Sequence, residues 1–224
     1  MARGIFVTGT DTGVGKTVVA AALLRALTGA GLRAVGMKPV AAGLHEGDTV
    51  AADTRALIAA GNIDALLADI NPYVFAPAIA PELAARAAGV TIDVDVIAAA
   101  YSRLAGVADA VVIEGAGGAL VPLTGSTDML DIPARLQLPV LLVVGIRLGC
   151  LNHALLSALA IRARGLDLAG WVANRVDPNM REGDANVSVL SARLRSPLCA
   201  DFASPDTFAF GRAALRTLGF ELPA

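Results

Sequence analysis

Residues 7–17, with the sequence VTGTDTGVGKT, place a glycine-rich stretch directly ahead of the pair Lys16-Thr17. Glycine lets the backbone approach a phosphate group without a Cβ clash, and successive N–H groups in such a turn attract an anion. A lysine at the end of the turn reaches the β- and γ-phosphates of a nucleotide, and the next hydroxyl group ligates Mg²⁺. The usual spacing has a glycine where this chain has Thr10, so a loop counted from Gly9 is one residue longer. The stretch predicts a phosphate-binding loop, and the alternative is a glycine-rich turn without a ligand.

The residues around this stretch supply the strand and the helix that a phosphate-binding loop requires. Residues 4–7 are mainly apolar and β-branched, as in a strand, whereas residues 18–27 are rich in Ala and Leu at helical spacing. A helix that follows the loop adds the positive end of its dipole to the anion site. The order of strand, loop and helix therefore favours the phosphate-binding interpretation.

Only two of the 18 basic residues are lysines, Lys16 and Lys38, and all the others are arginines. Lysine presents a compact ammonium group on a flexible stem, which serves as a point charge against phosphate where the broad guanidinium group does not fit. Lys16 already belongs to the predicted loop. For Lys38 we expect a role toward phosphate as well, with a chance surface lysine as the alternative.

Short apolar runs alternate with helical patterns along the chain. The runs lie at residues 5–7, 34–37, 110–113, 140–144 and 171–173, and the helical patterns at 16–27, 52–60, 81–88, 94–104, 152–164 and 207–218. Runs without polar alternation are typical of strands buried on both faces, and their alternation with helices predicts a doubly wound, mostly parallel α/β sheet. We expect one domain over residues 1–224, an irregular connection at 71–81, and little regular pattern from residue 195 onward.

Polar residues and glycines follow each apolar run, at the point where the predicted strand ends. They lie at residues 8–17, 38–39, 114–118, 147–149 and 174–175. In a doubly wound sheet, ligands bind at the carboxyl ends of the strands. These segments are therefore expected to converge on one edge of the sheet and to form the site.

Two carboxylates are candidates for the oxygen ligands that Mg²⁺ needs in addition to Thr17. Glu114 ends an otherwise apolar strand and is followed by the sequence GAGG, which forms neither a regular helix nor a strand. A glutamate that caps the next turn is the alternative for Glu114. Asp53 opens a helical pattern, so an N-cap role explains this residue almost equally well.

Two further positions carry groups suited to the rest of a nucleotide or substrate. Asn174 closes a strand, and its amide offers the donor and the acceptor that match the N6/N7 edge of adenine; a turn-forming asparagine is the alternative. The start of the long helical pattern is a second candidate, because the unpaired N–H groups of a helix start suit a carboxylate. Its residues are Gly149, Cys150, Leu151 and Asn152, and a plain N-cap role for Asn152 is the alternative.

Composition excludes several classes of protein. The net charge of −2 and the scattered arginines give no basic patch for nucleic acid. The longest strongly apolar run, residues 140–146, is too short to cross a bilayer, and no leader pattern opens the chain. The two cysteines, Cys150 and Cys199, make neither a metal site nor a disulfide framework by themselves. We therefore expect a cytoplasmic protein that binds neither nucleic acid nor a membrane.

Five segments taken together resemble the dethiobiotin synthetases, the ATP-dependent ligases of biotin biosynthesis. They are TGTDTGVGKT at residues 8–17, KPVAAG at 38–43, EGAGG at 114–118, LGCLNH at 148–153 and GWVAN at 170–174. The resemblance covers the chain to about residue 180 and includes the longer phosphate loop. Ala42 stands where the family usually has Ser or Thr, and the sequence ADFA at 200–203 replaces the loop that flanks adenine in the family.

The resemblance implies 7,8-diaminopelargonate as the substrate, with CO₂ or bicarbonate as the second substrate and ATP and Mg²⁺ as cofactors. One amine takes up CO₂ as a carbamate, the carbamate attacks the γ-phosphate of ATP, and the neighbouring amine closes the ureido ring. By the same resemblance Lys16 and Lys38 are the catalytic residues, and Thr17, Asp53 and Glu114 gather the metal ion.

The resemblance also implies two sets of binding residues. Those for the nucleotide are Thr12, Gly13, Val14, Gly15, Lys16, Thr17, Val18, Asp53, Glu114, Gly115, Ala116, Gly117 and Asn174. Those for the substrate are Lys38, Ala42, Gly149, Cys150, Leu151 and Asn152. The last four of these bind the distal carboxylate of the substrate in a site that the family forms at a homodimer interface.

Two other functions are compatible with the phosphate loop. A partition-type P-loop ATPase, which dimerises on ATP and binds a partner or a membrane, carries a signature lysine early in the loop. This chain has Asp11 at that position and no amphipathic basic tail. A relative of the amidoligases would use the same ATP chemistry on another acid. Phosphate release that depends on diaminopelargonate and bicarbonate distinguishes the three functions.

Overall fold

A parallel six-stranded sheet forms the centre of the protein in the computed structural model, which describes residues 3–203 and 209–223. Its strands are β1 (Arg3–Gly9), β2 (Ala34–Met37), β5 (Ala110–Glu114), β6 (Val140–Gly145), β7 (Leu168–Asn174) and β8 (Leu198–Phe202), in the spatial order β2-β5-β1-β6-β7-β8. A separate parallel pair is made by β3 (Val40–Ala42) and β4 (Tyr73–Phe75). The strand that precedes the phosphate loop therefore lies in the interior of the main sheet.

Helices cover both faces of the main sheet, which confirms the doubly wound α/β fold. They are α1 (Lys16–Gly29), α2 (Ala52–Ala60), α3 (Leu67–Ile70), α4 (Pro81–Ala87), α5 (Val94–Val107), α6 (Asp131–Leu136), α7 (Cys150–Ala163), α8 (Gly183–Leu194) and α9 (Arg212–Thr217). Side chains of α1, α2 and α9 share one core cluster with the strands. Side chains of α3 to α8 pack in two clusters that contain the strand residues of the opposite face. The prediction of a single domain over residues 1–224 stays a prediction.

The apolar runs form strands because neighbouring residues face two different cores. In β5, Ala110 and Val112 pack with α1, whereas Val111 and Ile113 pack with α5. All four side chains are fully buried. A strand that is covered on both faces has no position for a polar side chain except at its end, and β5 ends in Glu114.

Several elements differ from the sequence prediction. The expected irregular connection at 71–81 is wrong in part, because it contains β4, which pairs with β3. The helix predicted from residue 152 begins at Cys150, and the one predicted at 207–218 is observed as α9 from Arg212, with residues 207 and 208 outside the described residues. The pattern also missed α3, α6 and α8, and it missed β8, the edge strand that pairs with β7. The segment 200–203, expected to be a loop, thus lies mostly within a strand.

No helix in the described part of the chain, residues 3–203 and 209–223, has both the length and the apolar character that crossing a membrane requires.

Helix α6 ends in a left-handed residue that is not glycine, and this predicts a stabilising substitution. Gln137 has a φ of 54°, a conformation that costs residues with a Cβ about 1 kcal/mol relative to glycine. Gln137→Gly should therefore raise the free energy of unfolding by roughly 0.5–1 kcal/mol, measured by urea denaturation. Gln137→Ala retains the Cβ and serves as the control. A glycine variant no more stable than the alanine variant would contradict the argument.

Candidate active site

The phosphate loop joins the end of β1 to the start of α1 at the centre of the carboxyl edge of the sheet. Gly13 and Gly15 have φ values of 73° and 89°, which glycine adopts without the steric cost that other residues incur. The Lys16 ammonium group donates a hydrogen bond to the carbonyl oxygen of Asp11 at 2.9 Å and so lies across the loop. The loop geometry agrees with the predicted anion site.

A network of charges centred on the buried residues Lys38 and Glu114 lies beside the loop. The Lys38 ammonium group is 2.6 Å from Oε1 of Glu114 and 3.0 Å from Oδ2 of Asp53. The Thr17 hydroxyl donates to the same Oε1 of Glu114 at 2.8 Å. Lys38 also donates to the carbonyl oxygen of Gly115 at 3.2 Å. Residues far apart in the sequence, on α1, α2, β5 and the segment after β2, thus meet in one place.

The network decides between the alternatives for the two carboxylates. Glu114 is 1% exposed and accepts hydrogen bonds from Lys38 and Thr17, so the turn-capping interpretation is wrong. The N-cap of α2 is Ala51. Asp53 lies in the first turn of this helix, and its side chain forms an ion pair with Lys38. The N-cap interpretation of Asp53 is therefore wrong as well. Lys38 is 2% exposed, which excludes a chance surface lysine.

Burial and charge act in opposite directions on the pKa of Lys38 and of Asp53. Burial on its own would lower the pKa of Lys38, but Glu114 and Asp53 outweigh it and raise the pKa above its ordinary value. Burial alone would raise the pKa of Asp53, but the Lys38 charge outweighs it and lowers the pKa. Both groups are therefore held in their charged forms.

The pKa of Lys16 is shifted the other way, to about 8. Burial is the largest cause, and the positive charge of Lys38 adds to it. The carboxylates of Glu114, Asp53 and Asp11 oppose the shift without cancelling it. Lys16 is therefore a cation that a bound anion would stabilise further.

One buried oxygen of the network has no protein partner. Oε2 of Glu114 makes no hydrogen bond to any residue that the structure describes, although it is inaccessible to solvent. Together with Asp53 and the hydroxyl of Thr17 it belongs to a set of oxygen donors of the kind that Mg²⁺ prefers. The donor chemistry of the site fits a divalent cation.

A cavity of about 700 Å³ opens over this network. Of the predicted site residues, its lining includes Thr12, Gly13, Gly15, Lys16, Thr17, Val18, Lys38, Ala42, Asp53, Glu114, Ala116 and Gly117. The side chain of Val14 is buried under the loop. The remaining wall is apolar and comes from β3, from residues 78–81, which lead into α4, and from Val121. The volume is in the range of small-molecule sites.

The start of α7 does not line this cavity. Gly149, with a φ of 92°, is the N-cap, and Cys150, Leu151 and Asn152 form the first turn. The N-cap interpretation of Asn152 is therefore wrong. The first turn carries no acidic residue, so no carboxylate within it competes with a ligand for its N–H groups. A separate cavity of about 420 Å³ is lined by His153 and Leu156 of this helix and by residues 118–121.

Asn174 does not form a turn with its side chain. It is the last residue of β7, and its amide nitrogen donates to the carbonyl oxygen of Val14 at 2.8 Å in a buried position. This contact connects the end of β7 with the phosphate loop. The amide oxygen makes no hydrogen bond to another described side chain, and it is the acceptor that a base amino group would need.

Two pairs of contacts in the site were missed by the sequence analysis. The amide nitrogen of Asn71 donates to the carbonyl oxygen of Lys38 at 2.7 Å, and its oxygen accepts from the Thr54 hydroxyl at 3.0 Å. Asn71 thereby connects the backbone of Lys38 with the neighbour of Asp53. Asp11 forms an ion pair with Arg147 at 2.5 Å, across the ends of β1 and β6. The sequence signal for Asn71 was its place before Pro72, which is equally typical of a turn.

Comparison with known proteins agrees with this architecture. A protein-family model described as an AAA domain matches residues 3–202. The chain is 54% identical to the ATP-dependent dethiobiotin synthetase BioD of Nitrosospira multiformis, over 88% of this chain and 87% of the relative. It is 46% identical to the protein of the same name from Xanthomonas oryzae pv. oryzae, over 97% of each chain.

A solved structure gives the same fold at low identity. The septum site-determining protein MinD of Pyrococcus horikoshii, in complex with Mg-ADP, is 20% identical and superimposes with a TM-score of 0.55 over 97% of this chain and 89% of its own. The fold and the loop thus define a nucleotide-binding protein of the P-loop class. The identity to the curated relatives is far higher, and the chain belongs to the family of ATP-dependent dethiobiotin synthetases.

The lowered pKa of Lys16 predicts proton uptake on nucleotide binding. The ammonium form is lost as the pH rises through about 8, and polyphosphate binds that form, so binding raises the pKa and takes up a proton. At pH 8.5 we expect roughly half to three-quarters of a proton per ATP bound, and weaker affinity as the pH rises further. Calorimetry in buffers of different ionisation enthalpy measures this uptake. The same titration at pH 7 is the control, and equal uptake at both pH values would contradict the assignment to Lys16.

Proposed function

We propose that this protein closes the ureido ring of dethiobiotin from 7,8-diaminopelargonate and CO₂, with ATP converted to ADP and phosphate. The observation that carries the proposal is the position of Lys38, buried beside the phosphate loop at the wall of the cavity. Family membership favours this reaction over a partition-type switch or another amidoligase. In addition, Asp11 is paired with Arg147 and supplies no signature cation.

The reaction brings anions together, and the lysines offset their repulsion. A carbamate oxygen that approaches a γ-phosphate at about 4 Å experiences roughly 4 kcal/mol of repulsion per pair of unit charges at an effective dielectric constant near 20. Lys16 extends across the phosphate loop, and Lys38 lines the same cavity as the loop and Ala42. In this proposal Lys38 neutralises the carbamate and the transferred phosphoryl group, and Lys16 neutralises the β- and γ-phosphates.

Thr17, Asp53 and Glu114 are the residues that would hold Mg²⁺, which when bound neutralises the charge on the transferred phosphate. Support comes from the buried, unpartnered Oε2 of Glu114 and from the pKa of Asp53, which lies below its ordinary value. Thr17 is positioned by its hydrogen bond to Glu114. Lys38 is bound to the same two carboxylates, so these residues keep the ammonium group and the proposed metal ligands in contact.

The substrate site is proposed to lie between two copies of the chain. Ala42 and Lys38 line the cavity that would hold the diamine end, but the start of α7, proposed for the distal carboxylate, does not. Large apolar side chains of α7 and of its preceding loop are exposed, with Leu148 at 94% and Leu159 at 65%. A homodimer would cover these side chains and bring the helix start of the partner subunit to the cavity.

The cytoplasmic location and the absence of nucleic-acid or membrane binding remain predictions from composition.

Substitution of Lys38 tests the reaction. Lys38→Ala should lower kcat by about 10²–10³-fold, the usual cost of removing one preorganised charge-stabilising group. Lys38→Arg should recover little of this loss, because guanidinium keeps the charge but not the compact geometry. The KM for ATP should change less than kcat, since Lys38 acts on charge that builds during transfer. The measurement is phosphate release in the presence of diaminopelargonate, bicarbonate and ATP.

Arg216→Ala, an exposed cation on α9, is the control and should behave as wild type. A Lys38→Arg variant with nearly full activity would remove Lys38 from the mechanism. Wild-type phosphate release that needs neither diaminopelargonate nor bicarbonate would contradict the proposed reaction itself.

Substitutions that introduce negative charge on the exposed face of α7 test the proposed dimer. Leu156→Glu combined with Leu159→Glu places two carboxylates where the apolar contact is proposed, and should convert the dimer to a monomer with at least about tenfold weaker binding of diaminopelargonate. Light scattering after size exclusion measures the mass. The matched control is Leu66→Glu with Leu67→Glu, two exposed leucines at the start of α3. A wild-type protein that is monomeric at micromolar concentration would exclude the shared site.

A further inference from the structure

The side chain of Val14 anchors the middle of the phosphate loop from below. It is fully buried between the ends of two adjacent strands, β1 and β6, each of which ends in a glycine. A Cβ added to Gly9 would lie 2.7 Å from Cγ2 of Val14, and one added to Gly145 would lie 2.9 Å from Cγ1. The two strands therefore accommodate Val14 only because they lack side chains at these positions.

Asn174 holds the same residue through its backbone. Its amide nitrogen donates to the carbonyl oxygen of Val14, and this contact is buried. The carbonyl oxygen of Asn174 accepts hydrogen bonds from the N–H groups of Ile146 at 2.7 Å and Val176 at 2.9 Å. The position from which the amide reaches the loop is therefore fixed by the sheet. The Asn174 side chain also lies very close to the loop backbone, since a Cβ added to Gly15 would be 2.1 Å from the amide nitrogen of Asn174.

The carbonyl group of Val14 and the N–H group of Gly15 belong to one peptide plane. In a trans peptide these two groups point in opposite directions, so a hydrogen bond that fixes the carbonyl also fixes the N–H. The described residues contain no cis peptide bond. The contact with Asn174 thus sets the direction of an N–H group in the middle of the anion-binding turn.

We infer that Asn174 is a positioning residue for the phosphate loop, in addition to any contact it makes with the base. It orients the Gly15 N–H toward the phosphates through the carbonyl of Val14, and it contributes to affinity for a polyphosphate that carries no base at all. The inference rests on the proposed use of ATP at this loop. A residue that only reads the base would affect the binding of ATP but not of a polyphosphate without a base. A residue that positions the loop would affect the binding of both.

The test compares two ligands on two variants. Inorganic tripolyphosphate with Mg²⁺ presents phosphates without a base, and ATP with Mg²⁺ presents both. Asn174→Ala leaves the Val14 carbonyl buried without a donor, so the loop relaxes, and we expect the dissociation constant for tripolyphosphate to rise about tenfold. The dissociation constant for ATP should rise by at least the same factor. The control is Asn179→Ala, an exposed asparagine in the loop after β7, which should bind both ligands as wild type does.

A second variant acts on the loop without changing Asn174. Gly145→Ala places a methyl group against Val14, at 2.9 Å from Cγ1 and 3.1 Å from Cβ, and should also weaken tripolyphosphate binding by several-fold. If the thermal unfolding of Asn174→Ala shows that this variant does not fold, the affinity of Gly145→Ala for tripolyphosphate tests the inference instead. Binding by calorimetry is the measurement for all variants.

An Asn174→Ala protein that loses ATP affinity but binds tripolyphosphate as wild type does would overturn the inference, because Asn174 would then contact only the base. Wild-type tripolyphosphate binding by a folded Gly145→Ala protein would overturn it as well. Failure of the proposed reaction is a separate result. It would be seen as normal ligand binding by the wild type without turnover of diaminopelargonate.

Discussion

A buried ammonium group is tolerated only where opposite charges contact it, and the contacts of Lys38 therefore determine much of the surrounding structure. Glu114 ends the strand next to β2, and Asp53 comes from the first turn of α2. Both lie close to the segment that follows β2. For the fully buried pair of Lys38 and Glu114, loss of one partner typically costs about 3–5 kcal/mol, whereas the pair with Asp53, whose side chain is 47% exposed, contributes less. The neighbouring hydrogen bond from Thr17 extends the same constraint to the first turn of α1. The charge of one lysine thus connects α1 and α2, which cover the same face of the sheet, with the ends of β2 and β5.

Two asparagines connect the backbone around the charges. Asn71 joins the carbonyl of Lys38 to α2 through Thr54, and Asn174 joins the phosphate loop to β7. An amide carries a donor and an acceptor without charge, so it can bridge buried backbone groups without a further counter-ion. The site therefore separates two tasks. Charged side chains face the cavity, and amides hold the backbone that positions them.

The sequence was sufficient to predict the parts of the site that local pattern determines. The glycines ahead of Lys16 predicted the loop, and the position of Glu114 at the end of an apolar strand predicted that its carboxylate lies near the loop. The role of Asp53 stayed open because a helix start favours an aspartate with or without a ligand. The partner of Asn174 was unpredictable for a different reason. Val14 lies 160 positions earlier, and no local pattern encodes a contact of that range.

Missed elements of the fold have a similar explanation. Strand β8 is an edge strand in which Cys199 and Ala200 are half-buried and Asp201 is exposed, so the continuous apolar run of an interior strand is absent. Arg175, which directly follows the neighbouring strand β7, donates hydrogen bonds to Asp201. This contact depends on the pairing of the two strands and has no local sequence pattern. Helix α8 buries only Val187, Leu190 and Leu194 of its twelve residues, too few for a strong helical pattern.

The scarcity of lysine has a consequence for the chemistry of the whole surface. Both side-chain amines are buried, with Lys16 at 7% and Lys38 at 2% exposure, so every exposed side-chain cation apart from histidine is a guanidinium group. Guanidinium stays protonated through the alkaline range, and the positive charge of the surface therefore hardly changes there. Acylating reagents, which attack neutral amines, ordinarily label the outside of a protein. Among the side-chain amines of this one they would find only Lys16, whose pKa of about 8 leaves a neutral fraction in mildly alkaline solution, so any label beyond the α-amino group would report on the active site.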